Sequence, residues 1–223
     1  MKKTRFLVPA LFFVSGACTL VYQVVWVRML IVVFGVSVFA VSTVLTAFMA
    51  GLALGSVLLG RIVDNRGDSL RLYAVLELGI GGFSLMFPWI LTGLDEVHTT
   101  LYRLFEGQPM LFAMARFILS FLVLLIPTTL MGGTLPVLCR FAVRHLSGIG
   151  WQLGRLYSIN TAGGALGCFG AAFYLIEHFG VRGTVLVAAA TNVAIAFAAL
   201  LVFRLVGEGI GPSVPETNGS DTV

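Results

Sequence analysis

The chain has 223 residues, of which 58% are hydrophobic and 11% charged, with a mean hydropathy of +1.00 and a net charge of +4. Soluble domains draw about a quarter of their residues from the charged set, so this composition excludes an ordinary soluble globule and points to one bilayer-embedded, all-α domain. Cys18, Cys139 and Cys168 form no C-x-x-C pair, and His98, His145 and His178 stand apart. No metal, cofactor or nucleic-acid partner is therefore expected.

About 20 apolar residues suffice for one crossing. On that measure six transmembrane helices are expected, over 6–27, 36–60, 70–93, 110–138, 153–177 and 182–204. Lys2, Lys3 and Arg5 precede the first span as in a signal peptide, and Ser15-Gly16-Ala17-Cys18 hints at a lipoprotein cleavage site. The apolar run continues to Val27, too long for a signal segment, which favours an uncleaved first helix. The second span carries Gly51, Gly55 and Gly60, and the fifth carries Gly163, Gly164, Gly167 and Gly170. Small residues let helices approach closely in lipid. Each glycine-rich span is the second of three, a faint sign of a three-plus-three inverted repeat, although packing alone also accounts for the glycines.

Between the third and fourth spans, Val97, Leu101, Leu104 and Phe105 lie at helical spacing opposite Asp95, Glu96, Arg103 and Glu106. That pattern predicts a short amphipathic helix on the outer interface. The fourth span contains Pro127, Gly132, Gly133 and Pro136 within ten residues. Two readings stand there: a broken helix facing a polar cavity, or a kinked one whose freed carbonyls are satisfied by Thr128, Thr129 and Thr134. Residues 1–206 form the transmembrane domain on this reading, and 207–223, rich in Gly, Pro, Ser and acidic residues, a disordered polar tail.

Ten of the fourteen Lys and Arg residues flank the spans on the N-terminal side, among them Arg61, Arg71, Arg140, Arg155 and Arg204. Arg28, Arg103, Arg116 and Arg182 fall on the other. The asymmetry predicts an inner or plasma membrane protein with both termini in the cytoplasm.

Polar groups within the spans are few: Tyr22, Gln23, Glu77, Arg116, Tyr157, Asn160 and Asn192. Ionisable side chains at depth are costly and usually face the bundle interior. By depth, Glu77 would meet Asn160 or Tyr157, and Arg116 would meet Gln23 or Tyr22. Structural pairing and substrate binding predict the same spacing.

Gly60-Arg61-Ile62-Val63-Asp64-Asn65-Arg66-Gly67 resembles the G-x-x-x-D-R-x-G loop of major facilitator transporters, with Asn65 in place of the basic residue and Arg66 one position later. That resemblance implies a gating role for Asp64 and Arg66 and a fold like one half of such a transporter. Four further stretches resemble membrane-bound spermidine synthase-like proteins: Ser15-Gly16-Ala17 with Tyr22 to Arg28, Ala47 to Ser56, Pro127 to Pro136, and Gly154 to Gly163. The third is similar to that family's P-T-x-L-M-G-x-T-L-P, the fourth to its G-x-L-Y-x-x-N-T-x-G. Gln23 departs from the glutamate common after the tyrosine, which weakens any cation role there. Family members continue into a Rossmann-like aminopropyltransferase domain, whereas only a short polar tail follows the sixth span here. The resemblance therefore implies a non-catalytic membrane module that binds or moves a small solute such as a polyamine. It would work beside a second copy, another membrane subunit or a soluble synthase-like partner; the alternative is an anchor for such an enzyme. A lone six-helix half would leave Glu77, Asn160 and 127–136 facing lipid, which argues for a covering partner.

Overall fold

The computed structural model describes residues 2–64, 68–145 and 149–206. Among them all regular structure is helical: α1 (Lys2–Phe34), α2 (Ser37–Asp64), α3 (Ser69–Leu104), α4 (Pro109–His145), α5 (Ile149–Gly170), a π-helical turn (Ala171–Leu175) and α6 (Ile176–Val206). Five continuous stretches are long and apolar enough to cross a membrane: Leu7–Phe34, Val38–Val63, Ser69–Leu104, Pro109–Phe141 and Leu153–Leu205. The protein is thus an all-α chain built for a bilayer. The proposed tail at 207–223 lies outside the described residues.

The helices run further than the apolar blocks suggest. At about 1.5 Å per residue, α3 is about 54 Å long against a hydrocarbon core of about 30 Å. Its last turns take up Val97 and Leu101, so the separate amphipathic helix expected at 94–109 is instead the extension of α3. Propagating an existing helix adds one hydrogen bond per residue, whereas a new one needs a costly nucleus. Gly35, at φ 69°, ends α1 in the left-handed region, with its N–H donating to the Ile31 carbonyl at 2.8 Å. Only glycine adopts that conformation freely. Gly180, at φ 66° and ψ 177°, likewise departs from helical geometry inside the last long stretch.

α2 packs chiefly on α4, α1 on α5, and α3 on α6, with further contacts of α3 on α4 and α1 on α6. This pattern maps onto itself when α1, α2 and α3 are exchanged for α4, α5 and α6. Glycines set both close pairs. A Cβ on Gly51 or Gly55 would strike Thr128 and Thr129, and one on Gly163 or Gly167 would strike the Phe13 and Ala17 backbone. In lipid such approach is what holds helices together, because dispersion and not water drives association.

Two apolar clusters form the core. One joins Val8 and Phe12 of α1, Val63 of α2, Leu70 and Tyr73 of α3, Val137 and Phe141 of α4, Leu156 of α5 and Val202 of α6. These are the beginnings of the odd helices and the ends of the even ones. The other joins Trp26 and Leu30, Ala40 and Val44, Phe87 and Leu91, Leu124, Ala171 and Val185. Val75, Met86, Trp89, Leu122, Phe169 and Phe197 point outward, an apolar surface suited to acyl chains.

Of the two readings of the fourth span, the unbroken helix is the one observed: α4 is helical through Pro127 and Pro136. Thr128 Oγ1 lies 2.8 Å from the Leu124 carbonyl and 3.1 Å from that of Ala47 on α2; Thr129 donates to Leu125 and Thr134 to Met131. These are carbonyls of the turns around the prolines; the ones that Pro127 and Pro136 leave without a donor are those of Val123 and Gly132. Gly132 and Gly133 serve packing, their faces closed by Leu52 and Leu59 of α2.

Candidate functional site

The polar residues that the fold brings together lie between α1, α3 and α6. On α3, Tyr73, Glu77, Gly81 and Ser84 recur every three or four residues and so share one face. Tyr73, Glu77 and Ser84 are completely buried. Ser15, Cys18 and Tyr22 on α1 face them with the same periodicity, and all three are buried as well. Gly81 lets α6 close the seam, since a Cβ there would stand 3.3 Å from that of Asn192.

The centre of this seam is the Glu77 carboxyl. Ser15 Oγ donates to Glu77 Oε1 at 2.5 Å, a length typical of hydroxyl-to-carboxylate bonds. Oε2 has no hydrogen-bond partner. The Tyr73 hydroxyl faces the same carboxyl without a formed hydrogen bond. Further along, the Tyr22 and Ser84 hydroxyls adjoin one another, and they and Asn192 Oδ1 are also buried and unpartnered. Native interiors leave few polar atoms unpaired. Five such atoms lie along this one seam. Among the described residues the single ion pair is Arg71 with Asp68, at 3.3 Å on the surface, so Glu77 has no cationic neighbour.

A groove of about 340 Å³ opens on the other side of α1. Val14, Ala17, Cys18 and Val21 form one wall, with Gly167, Gly170 and Tyr174 opposite and Ala188 and Thr191 from α6. It lies beside the π-helical turn, with Gly170, Tyr174 and Leu175 in its lining. Cys18 borders both the groove and the polar seam, but Glu77 does not line the groove.

Glu77 and Tyr22 therefore belong to the seam. The other sequence candidates are elsewhere. Asn160 donates from Nδ2 to the Phe12 carbonyl at 3.0 Å, locking α5 to α1 rather than meeting Glu77. Tyr157 is 61% exposed on the bundle surface. Arg116 lies over Phe34 and Phe112, 4.9 and 5.1 Å from the ring centroids, and not beside Gln23 or Tyr22. A weakly hydrated guanidinium gains cation–π attraction there, so stacking replaces the expected polar pairing. Gln23 is half-buried. Asp64 is the last residue of α2, and Arg66 lies outside the described residues.

Gly132 and Gly133 form a packing surface against α2, and Pro127 and Pro136 stand within the same continuous helix. Within one chain Glu77 is fully buried, and Gly132 and Gly133 are covered by α2. Among the described residues no cluster of His, Cys, Asp and Glu is arranged to hold a metal ion. Tyr73 and Ser84 were not among the sequence candidates, although their spacing from Glu77 places all three on one helical face. Comparison with protein-family models, curated proteins and solved structures finds no match.

Proposed function

We propose that this chain is a non-catalytic membrane module that binds or moves a small cationic solute. The observation that carries this reading is Glu77: a carboxyl with no ion partner, sunk in the bundle among hydroxyls. Intramembrane ionisable groups are costly and mark solute or ion sites. A bundle that only held another protein to the bilayer would be more stable with an apolar side chain there. The resemblance to membrane-bound spermidine synthase-like proteins makes a polyamine the first solute to test.

The topology proposed with this function is six crossings, in the manner of one half of a facilitator-type transporter. At about 1.5 Å per residue the stretch Leu153–Leu205 is about 80 Å long, more than twice the hydrocarbon thickness. Gly180 interrupts it, and Gly167 and Thr191 border the same groove, which supports a reversal near Gly180. The pairing pattern, unchanged on exchanging the two sets of three helices, supports an inverted repeat. The same reading keeps both termini in the cytoplasm of the inner membrane. A transport path needs a second wall, which a second copy or another membrane subunit would supply.

Binding of radiolabelled spermidine and putrescine to the protein in nanodiscs tests the reading. Saturable binding that Glu77→Gln abolishes, with the variant still folded, is expected. Absence of binding to both, with retention of a soluble synthase-like protein on the same nanodiscs, would replace it with anchoring. The apolar lining of the groove and the closed packing around Glu77 favour that second reading.

A further inference from the structure

We propose that Glu77, held by Ser15 and facing Tyr73 inside the closed bundle, is an exchangeable proton site. This deepens the solute-binding reading and rests on it only for its purpose, since the site itself is defined without a solute.

Three observations carry it. An ionised carboxylate without a counter-charge is disfavoured in a low-dielectric interior, and no Lys, Arg or His pairs with Glu77 among the described residues. Something must neutralise the group. A metal cation or an ammonium group needs volume and a shell of oxygen ligands. Glu77 is 0% exposed, and the neighbouring groove stops at Cys18. A proton needs neither.

The chemistry of the neighbours fits exchange and not permanent protonation. Serine and tyrosine hydroxyls both donate and accept. With Glu77 ionised, the Ser15 hydroxyl donates to Oε1 and that of Tyr73 can turn to donate to Oε2. With Oε2 protonated, its new O–H donates to the Tyr73 oxygen, and the Ser15 bond to Oε1 stays. Each protonation state therefore finds partners by rotation of one hydroxyl. An arginine neighbour would have favoured the charged state alone. Beyond this centre, Tyr22, Ser84 and Asn192 continue the line of unpartnered polar atoms toward the other end of the bundle.

The titratable groups facing Glu77 are Tyr73 on its own helix and Cys18 and Tyr22 on α1. α6 contributes Asn192, which does not titrate. The ionisable groups of α4 lie toward its ends, Arg116 against Phe34 and Cys139 with Arg140 near the opposite cluster. Exchange balances as follows. The O–H bond of the carboxyl breaks, its proton passes through the Tyr73 hydroxyl to a water that becomes hydronium, and the carboxylate left behind accepts from the Ser15 and Tyr73 hydroxyls until a proton returns.

Infrared difference spectroscopy of the full chain in nanodiscs, without any solute, reads the site directly through the C=O stretch of a protonated carboxyl. One such band is expected at neutral pH. It should be lost reversibly on raising the pH while near-ultraviolet circular dichroism stays native, and it should be absent from Glu77→Gln. A band that persists in Glu77→Gln, or that disappears only as the protein unfolds, would overturn the proposal. So would its loss on replacing choline chloride by sodium chloride at constant pH and ionic strength, which would make sodium the resident ion. Titration of the band with no polyamine binding would leave the proton site standing and remove the solute reading alone.

Discussion

Adding one methyl group at Gly132 tests the account of how the bundle holds together. A Cβ there would stand 2.6 Å from the Leu52 carbonyl oxygen and 2.7 Å from the Leu52 Cα. Neither is the end of a flexible side chain, so only movement of a whole helix relieves the clash. Ordinary contact begins near 3.4 Å, and α2 and α4 must therefore part by about 0.8 Å. A gap of that size forfeits a quarter to a half of each atom-pair attraction of about 0.1–0.2 kcal/mol. Over about forty pairs along the seam the loss is about 2 kcal/mol. The Thr128 contact with the Ala47 carbonyl crosses the same seam and would stretch, adding about 0.6 kcal/mol. Alanine returns about 1 kcal/mol through its better helix propensity.

Gly132→Ala is thus expected to destabilise the protein by about 1–2 kcal/mol. Gly82→Ala is the control, because nothing lies within 4 Å of its Cβ position. It keeps only the propensity gain and is expected to stabilise by up to about 1 kcal/mol. Titration of the mild-detergent protein with sodium dodecyl sulfate, followed by fluorescence of the buried Trp26, compares the two. Equal stability of the two variants, or a more stable Gly132→Ala, would refute the claim that backbone proximity between α2 and α4 holds the fold.

Other perturbations probe the seam and the topology. Ser15→Ala should cost about 1–3 kcal/mol by leaving both Glu77 oxygens without a donor, whereas Ser56→Ala, at an exposed intrahelical bond, should cost almost nothing; both are read in the same detergent titration. Thr128→Val should lose about 1 kcal/mol with its cross-helix bond, while Thr161→Val, on an exposed face, should be neutral. Reporter fusions after Arg103 and Arg182 should report the outside, and those after Arg66, Arg144 and Val223 the cytoplasm. An internal signal after Arg182 would remove the sixth crossing. Purified protein measured in nanodiscs by mass should exceed one chain plus lipid if a second copy supplies the other wall of a transport path.

Much of the bundle was legible from the sequence, because the bilayer imposes length and apolarity on each crossing. The glycines of the second and fifth spans pointed to close helix pairs, and Gly51, Gly55, Gly163 and Gly167 indeed face Thr128, Thr129, Phe13 and Ala17. Helix ends were less legible, since polar residues such as Glu96 and Arg103 continue α3 into the interface without breaking it. Proline and glycine counts left two readings open at 127–136, and the unbroken α4 decides for the continuous helix. The position of Glu77 was readable, but its partner was not. Depth along the membrane normal ranks candidates and says nothing about azimuth, and Ser15 stood out only within the Ser15-Gly16-Ala17-Cys18 stretch that hints at a cleavage site.

The exchange of the two helix triplets bears on why the polar seam exists. That exchange relates the α1–α3 contact to one between α4 and α6, and α3 itself meets both α1 and, more extensively, α4. Against α4 the contact is apolar, as with Leu130 beside Gly79, and α4 carries neither a carboxyl group nor a tyrosine. Against α1 the same helix presents Tyr73, Glu77 and Ser84 to Ser15, Cys18 and Tyr22. The fold therefore closes α3 without buried ionisable groups on one side and keeps them on the other. Packing requires neither the charge nor the five unpartnered atoms. The more extensive contact with α4 closes without such groups, so packing of α3 does not by itself call for the carboxyl on the side that faces α1, and a folded, stable Glu77→Leu variant would bear that out.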